Sequence, residues 1–306
     1  MVYKKKRQHY VWRNYLKPWA DNEIIWTYFK EQNKIIKPGL MGVAQEKYFY
    51  KLEDYTEDEI TFLTNYVEKT SPAILKEFNL DFLYLFTSPT ILKRQLDTNT
   101  NPKINKEFID SEINKLKVNS MEDAHCFIEN LGFDIIQCRS IEDLEKLTID
   151  DKRFAAIMFL CFQYFRTKNM RKSALKSFEG DKYESLAEKS WNVISFVMAT
   201  TLARSISLDK NLRFIFIGNN TLVPFITSDQ PVFNILNDKG EVVELELYYP
   251  LTPKCAISLH FRPEQIEIFK NEVASEDYVN YLNKKVFENA DYYVFANNEE
   301  ILERIK

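Results

Sequence analysis

The residues best equipped for chemistry lie in two places: a polar-aromatic segment, Gln8 to Leu16, and the turn Thr227-Ser228-Asp229-Gln230-Pro231. In the first, His9 and Arg13 share a face at i, i+4 if the segment is helical. An imidazole there could act as general acid or base near neutral pH, and a guanidinium could hold a phosphate or an oxyanion. A surface histidine beside an arginine packed on Trp12 accounts for the same pair. In the second, Asp229 sits at a strand end, where a metal ligand or catalytic acid would be placed. Ser228 and Asp229 are equally good turn chemistry, because both can bond backbone groups two residues on. Gln163 and Arg166 follow the most apolar stretch, Phe154 to Phe162, and their spacing puts them on one side of a helix. If buried they need partners, which are either a ligand or carboxylates such as Glu46 and Asp229. Asn283, on a late helix, adds a further polar contact or a plain surface residue.

The elements that must position these residues fall into three stretches of one domain, 1–306. Residues 8–55 are aromatic, with Ile24 to Phe29 reading as a strand and Lys37-Pro38-Gly39 as a turn. Residues 56–208 are helical. Thr56 with Glu59 forms a capping box, and Ser71-Pro72 and Ser88-Pro89 each place an N-cap before a proline. Helices are expected over Ile104–Val118, Met121–Leu131, Ile141–Leu147, Arg153–Tyr164 and Ser185–Arg204. Residues 209–306 switch to a period of two. Phe214 and Phe216 share a strand face, Gly218-Asn219-Asn220 reads as a hairpin turn, and Leu222 to Ile226 as its return, with Pro224 marking an edge or a bulge. Strands at Val232–Leu236, Val242–Tyr249 and Ala256–Phe261, a turn at Asn237 to Gly240, a helix at Ser275–Glu288 and a strand at Tyr292 to Phe295 complete the chain. The order predicts an α+β fold in which a helical middle region packs on a small antiparallel sheet built from both terminal segments.

Composition sets the outer bounds. The chain has 306 residues, 45% of them hydrophobic and 14% aromatic, which fits a folded globular protein. A net charge of −4 argues against a constitutive polyanion binder while leaving room for a local basic cleft. The four cysteines form no CxxC pair, the N-terminal Lys4-Lys5-Lys6-Arg7 run leads into no apolar segment, and Phe154 to Phe162 is too short to span a bilayer. A cytoplasmic protein without membrane contact is expected; the oligomeric state is not legible.

Familiar site signatures are missing. No GxxxxGK[ST], GxGxxG or GxSxG occurs, and three histidines without HExxH disfavour zinc. Asp229 with Glu244-Leu245-Glu246 is similar to the carboxylate pattern of metal-dependent nucleases, but Glu246 stands where such a site wants a lysine. Alternating acids also make an ordinary solvated strand face.

In order along the chain, His9-Tyr10-Val11, Tyr15-Leu16, Trp19, Glu46, Phe49-Tyr50, Gln163 and Arg166, Thr227 to Pro231, Pro250 to Pro253, Leu282-Asn283 and Tyr293-Val294-Phe295 form a pattern. It resembles the domain-of-unknown-function family number 4238. The family's proline after His-Tyr-Val is Trp12 here, which alters how the chain approaches that segment. The resemblance implies an antiphage-defence effector, since members occur in bacterial and phage-satellite defence loci, and implies no chemistry.

Two functional expectations follow. In one, the protein cleaves nucleic acid or a nucleotide, with His9, Glu46 and Asp229 catalytic and Arg13, Gln163, Arg166, Ser228 and Asn283 binding substrate; the cofactor is unknown, a divalent metal such as Mg²⁺ being compatible. In the other, the same residues recognise a phage protein or a small signal, or satisfy a buried network without activity.

Overall fold

A computed structural model describes residues 5–236, 245–261 and 264–306. The chain begins with β1 (Arg7–His9), the single-turn helix α1 (Arg13–Leu16), β2 (Ala20–Asp21), β3 (Ile24–Phe29), β4 (Lys34–Ile36) and β5 (Gln45–Lys47). Branched and aromatic side chains make β3 a strand, as its composition requires. Helix α2 (Glu57–Thr70) starts at the capping box: Thr56 Oγ1 accepts from the Glu59 N–H at 3.2 Å, and Glu59 Oε2 accepts from the Thr56 N–H at 2.7 Å.

The next two helices, α3 (Lys76–Thr98) and α4 (Lys106–Leu131), correct the sequence reading. Ser71 closes α2 instead of capping the following helix, its N–H donating to the Val67 carbonyl. Ser88-Pro89 starts no helix, because α3 runs through it. Proline removes the N–H that would reach the Leu85 carbonyl, and Ser88 Oγ donates to that carbonyl at 2.8 Å in its place. The two helices expected between 104 and 131 are one, since no breaker stands between Val118 and Met121 and Ser120 Oγ merely folds back onto Leu116 O.

Short helices α5 (Phe133–Ile136) and α6 (Ile141–Glu145) lead to α7 (Asp150–Phe165), α8 (Lys168–Leu175) and α9 (Glu184–Leu208). Helix α7 is apolar almost all round because it is buried almost all round, with α9 against it.

The remaining elements are β6 (Leu212–Gly218), β7 (Thr227–Ser228), β8 (Phe233–Asn234), β9 (Leu247–Thr252), β10 (Cys255–Phe261), β11 (Phe269–Val273), α10 (Glu276–Asn289), β12 (Tyr293–Ala296) and α11 (Glu299–Ile305). The hairpin expected after Gly218 does not form. β6 pairs antiparallel with β10 and parallel with β11, while 222–226 runs as irregular chain, held where Asn219 Nδ2 donates to Val223 O at 2.8 Å. Asn237 to Gly240, and Val242 to Glu244 of the next expected strand, lie outside the described residues.

The fold is α+β. Among the described residues the strands make two five-stranded sheets and a β1–β5 pair, where one small sheet was expected. One sheet, in the order β11-β6-β10-β9-β8, is built from the C-terminal stretch and contains the parallel β11–β6 pair. The other joins the two ends of the chain, with β12 between β3 and β7. Strand β6 is buried on both faces. Phe214 and Phe216 enter the main core with α7, α9 and Trp19; Ile215 and Ile217 enter a second core under α10 and α11. Among the described residues no helix is long and apolar enough to cross a membrane.

Candidate functional site

The opening segment is strand, turn and short helix, so His9 and Arg13 do not share a helical face. β1 pairs with β5, setting Gln8 opposite Glu46. Gln8 is buried and fully used: its Nε2 donates to Val118 O at 2.7 Å and its Oε1 accepts from the Tyr50 N–H at 2.7 Å. His9 is half-buried, and its Nε2 is buried without a hydrogen bond. Burial first, then the charges of Arg166 and Arg13, lower its pKa; a backbone hydrogen bond with Leu40 opposes them. The ring is therefore neutral near pH 7. Arg13 points elsewhere, onto Glu23, with Nη2 2.6 Å from Oε2.

Arg166 ends α7 and is buried with its charge. Nε donates to Tyr50 Oη at 2.9 Å, Nη1 to Glu129 Oε1 at 2.8 Å and Nη2 to His9 O at 2.6 Å. Burial opposes that charge; Tyr50 and Glu129 outweigh it and raise the pKa above its ordinary value. Helix α4 supplies the other wall with Glu122, His125 and Glu129 at i, i+3 and i+7. The His125 ring lies 4.4 Å from that of Tyr50. Burial holds His125 well below its ordinary pKa, with Arg166 acting the same way. Burial lifts Glu122 to about 7 although Arg166 opposes the shift. Glu122 Oε2, His125 Nδ1 and Gln163 Nε2 are, like His9 Nε2, buried without a hydrogen bond.

The Thr227 turn is engaged by the chain itself. Thr227 Oγ1 lies 2.6 Å from Tyr15 Oη. Ser228 Oγ accepts from the Gln230 N–H and donates to Gln230 O, both at 3.1 Å. Asp229 Oδ1 accepts from the Asp291 N–H at 2.9 Å, and Oδ2 from those of Tyr292 and Tyr293 at 2.8 and 3.2 Å. Burial raises its pKa to about 6 against those three donors. Gln230 accepts from Thr167, the residue after Arg166. Asn283 is buried, not a surface residue: it accepts from the Ile226 N–H at 3.0 Å and donates to Pro224 O at 2.8 Å.

The two segments thus meet, with the end of α7 between them, but their side chains do not open on one common pocket. His9, Tyr50 and Arg166 come together; Asp229, Ser228 and Asn283 each hold backbone; Glu46 is exposed and bound to Lys168, Nζ to Oε2 at 2.5 Å. In the nuclease-like pattern Glu244 lies outside the described residues. Glu246 accepts from Ser258 Oγ at 3.1 Å and lies 3.2 Å from His260 Nδ1. Among the described residues no group of three His, Cys, Asp or Glu is disposed to hold a metal ion.

Glu46 and Lys168 belong to an open cleft of about 650 Å³ that sequence reasoning misses. Its cations are Lys51, Lys168, Arg171, Lys172 and Lys189, its acids Glu46, Glu53 and Glu188, and Tyr48, Phe49 and Trp191 contribute rings. The spacing of Lys168, Arg171 and Lys172 at i, i+3 and i+4 was the available signal, though such a run also fits a solvated face.

A family model covers residues 7–300. The chain belongs to the family described as protein of unknown function (DUF4238). No curated protein and no solved structure matches it. For this DUF4238 chain the geometry separates two layers. Gln8, Tyr50, Arg166 and Asp229 fix how the termini and α7 assemble, and α8, launched by the Thr167 cap directly after Arg166, carries cations into the cleft. Lys168 sits within cation–π range of Tyr10 and Tyr292, 5.2 and 4.9 Å from their ring centres.

Proposed function

We propose that the cleft between β5, α8 and α9 binds a phosphate-bearing ligand, a nucleotide or a short single strand, and that the protein acts by recognition. The observation that carries this reading is the grouping of five cationic side chains with three aromatic residues around one open cleft of about 650 Å³. Cations take the phosphates, and ring faces take bases without regard to sequence. The cations are held in place by exchangeable partners: Lys168 by Glu46, Arg171 by Glu188 at 3.8 Å, and Lys172 by Asp291 at 2.7 Å. A phosphate arriving at Lys168 or Arg171 replaces a surface carboxylate, an exchange that costs little. The lining supplies charge and ring faces rather than an imidazole or thiol, which favours binding over cleavage by His9, Glu46 and Asp229. The antiphage role that the sequence resemblance implies would give such binding a use, with a phage nucleic acid or a signal nucleotide as ligand.

Fluorescence anisotropy of the full chain with a labelled oligothymidylate and with a labelled ATP tests the reading. Binding of at least one probe, weakening as salt rises and falling about tenfold or more in Lys51→Glu/Arg171→Glu, is expected. If neither probe binds at low salt, or the double reversal leaves binding intact, the reading is overturned.

A further inference from the structure

Helix α8 is shared by two clefts. Lys168, Arg171 and Lys172 line the cationic one. Asn169 and Ser173, one turn apart on another face, line a second cleft of about 490 Å³, with Tyr164 near the end of α7 and Asn289 at the end of α10. The second cleft has a different chemistry. Among the described residues no carboxylate lines it and Lys176 is its one cation, while Asn169, Gln230, Asn234 and Asn289 line it with carboxamides.

The protein sets the orientation of these amides. Gln230 and Asn234 are buried and engaged. Gln230 accepts from Thr167 and donates through Nε2 to Val232 O at 2.5 Å and Tyr164 O at 3.3 Å. Asn234 Oδ1 accepts from the Leu236 and Glu246 N–H groups at 3.2 and 2.9 Å. Asn169 and Asn289 are half-buried and differ. Asn169 Nδ2 donates to Asn289 O and Asn289 Nδ2 to Lys285 O, both at 2.9 Å. A carbonyl accepts only from the NH₂ end, so each bond fixes which end of the side chain is oxygen. Both oxygens are without a hydrogen bond among the described residues, and so are Tyr164 Oη and Ser173 Oγ. Burial, with Cys161 acting the same way, lifts the Tyr164 pKa to about 12, so the phenol keeps its proton at neutral pH. The cleft thus offers two fixed acceptors and two hydroxyls that both donate and accept.

We propose that this second cleft binds a neutral, hydroxyl-rich ring: a saccharide, or the ribose of a nucleoside. A ring hydroxyl gives its proton to a carboxamide oxygen and accepts one from a phenol or a serine, which is the complement of the four open groups. A cationic ligand finds no carboxylate there, and a polyphosphate finds a single ammonium. The volume of about 490 Å³ falls within the range of about 300–1,000 Å³ usual for small-molecule sites.

Saturation-transfer NMR on the full chain tests this with methyl β-D-glucopyranoside and adenosine, both uncharged, at millimolar concentration. At least one is expected to bind, with an affinity that does not change as salt rises. Binding of the glucoside assigns a saccharide. Binding of adenosine alone assigns a nucleoside, provided 2′,3′-dideoxyadenosine binds more weakly; equal binding of the dideoxy compound overturns the proposal. Asn169→Ala/Asn289→Ala is expected to weaken binding about tenfold or more, two hydrogen bonds being lost. Ser173→Trp, at an exposed position that gives up no bond, is expected to fill the cleft and abolish binding. A wild type that binds neither probe overturns the proposal, and so does binding that survives the double alanine variant. If that variant melts early, binding that survives Ser173→Trp overturns it instead.

Discussion

Tyr15 Oη and Thr227 Oγ1 lie 2.6 Å apart although 212 positions separate them in the chain. The phenol also donates to Pro250 O at 2.8 Å, and its ring stacks on Tyr249 with centres 4.8 Å apart. A phenol has one proton, so with that proton on Pro250 the Thr227 hydroxyl is the donor in the shorter bond. The opening segment, the Thr227 turn and the Pro250 corner therefore close on a single buried oxygen.

Removing that oxygen in Tyr15→Phe leaves Thr227 without an acceptor and Pro250 without a donor. Unsatisfied buried groups cost about 1–3 kcal/mol, and a loss in that range is expected from urea unfolding. Thr227→Val, which spares the Pro250 bond, is expected to lose less. A double variant less destabilised than the two losses added would register the coupling between the pair. Unfolding midpoints unchanged in both single variants would show that the contact is not a structural tie.

Arg166 offers a harsher test, because three acceptors depend on one buried charge. Arg166→Met strands Glu129, whose side chain is 13% exposed, and is expected to cost about 3–5 kcal/mol. Arg166→Lys keeps the charge but loses the planar fork that reaches Tyr50, Glu129 and His9 together. Less than half of the loss should return. Full recovery by lysine in denaturant titrations would mean that charge alone matters here.

The parts of this fold that read directly from sequence are those decided by neighbours in the chain. β3 announces itself through branched and aromatic residues, and α2 through reciprocal bonds between Thr56 and Glu59. Arg166 stood out because a guanidinium at the end of an apolar helix needs a partner. Where tertiary bonds decide, local signals mislead. Ser88-Pro89 has the form of a helix start, yet Ser88 Oγ on Leu85 O lets α3 continue. Asn219-Asn220 has the form of a hairpin turn, yet Asn283 on α10 claims the backbone of Pro224 and Ile226. Glu122, His125 and Glu129 stayed invisible because polar residues on a helix face look solvated until a buried arginine from another helix is set against them. The cations of α8 were hidden by the same ambiguity.

Asp229 is expected to prove a clamp on the residues before β12. Asn at this position keeps one oxygen, but its amide group opposes a backbone N–H of 291–293 at close range. A loss of about 2–3 kcal/mol follows, with faster hydrogen exchange at the amides of Asp291, Tyr292 and Tyr293 than elsewhere in the sheet. Uniform exchange across β3 and β12 in Asp229→Asn would contradict a local clamp.

Glu122 gives the clearest pH signature. Burial raises its folded pKa to about 7 from an ordinary 4.5. Between those values the folded chain holds a proton that the unfolded chain has lost, so this group's contribution to stability falls as pH rises and is fully unfavourable above about 7. Glu122→Gln imitates the protonated form at every pH. The variant should match the wild type near pH 5 and melt at higher temperature near pH 8. Asp229, raised to about 6, and the lowered His9 and His125 titrate in both proteins and cancel in the difference. Thermal scans at the two pH values check this, and a gap of equal size at both would mean that Glu122 carries its charge in the folded protein throughout.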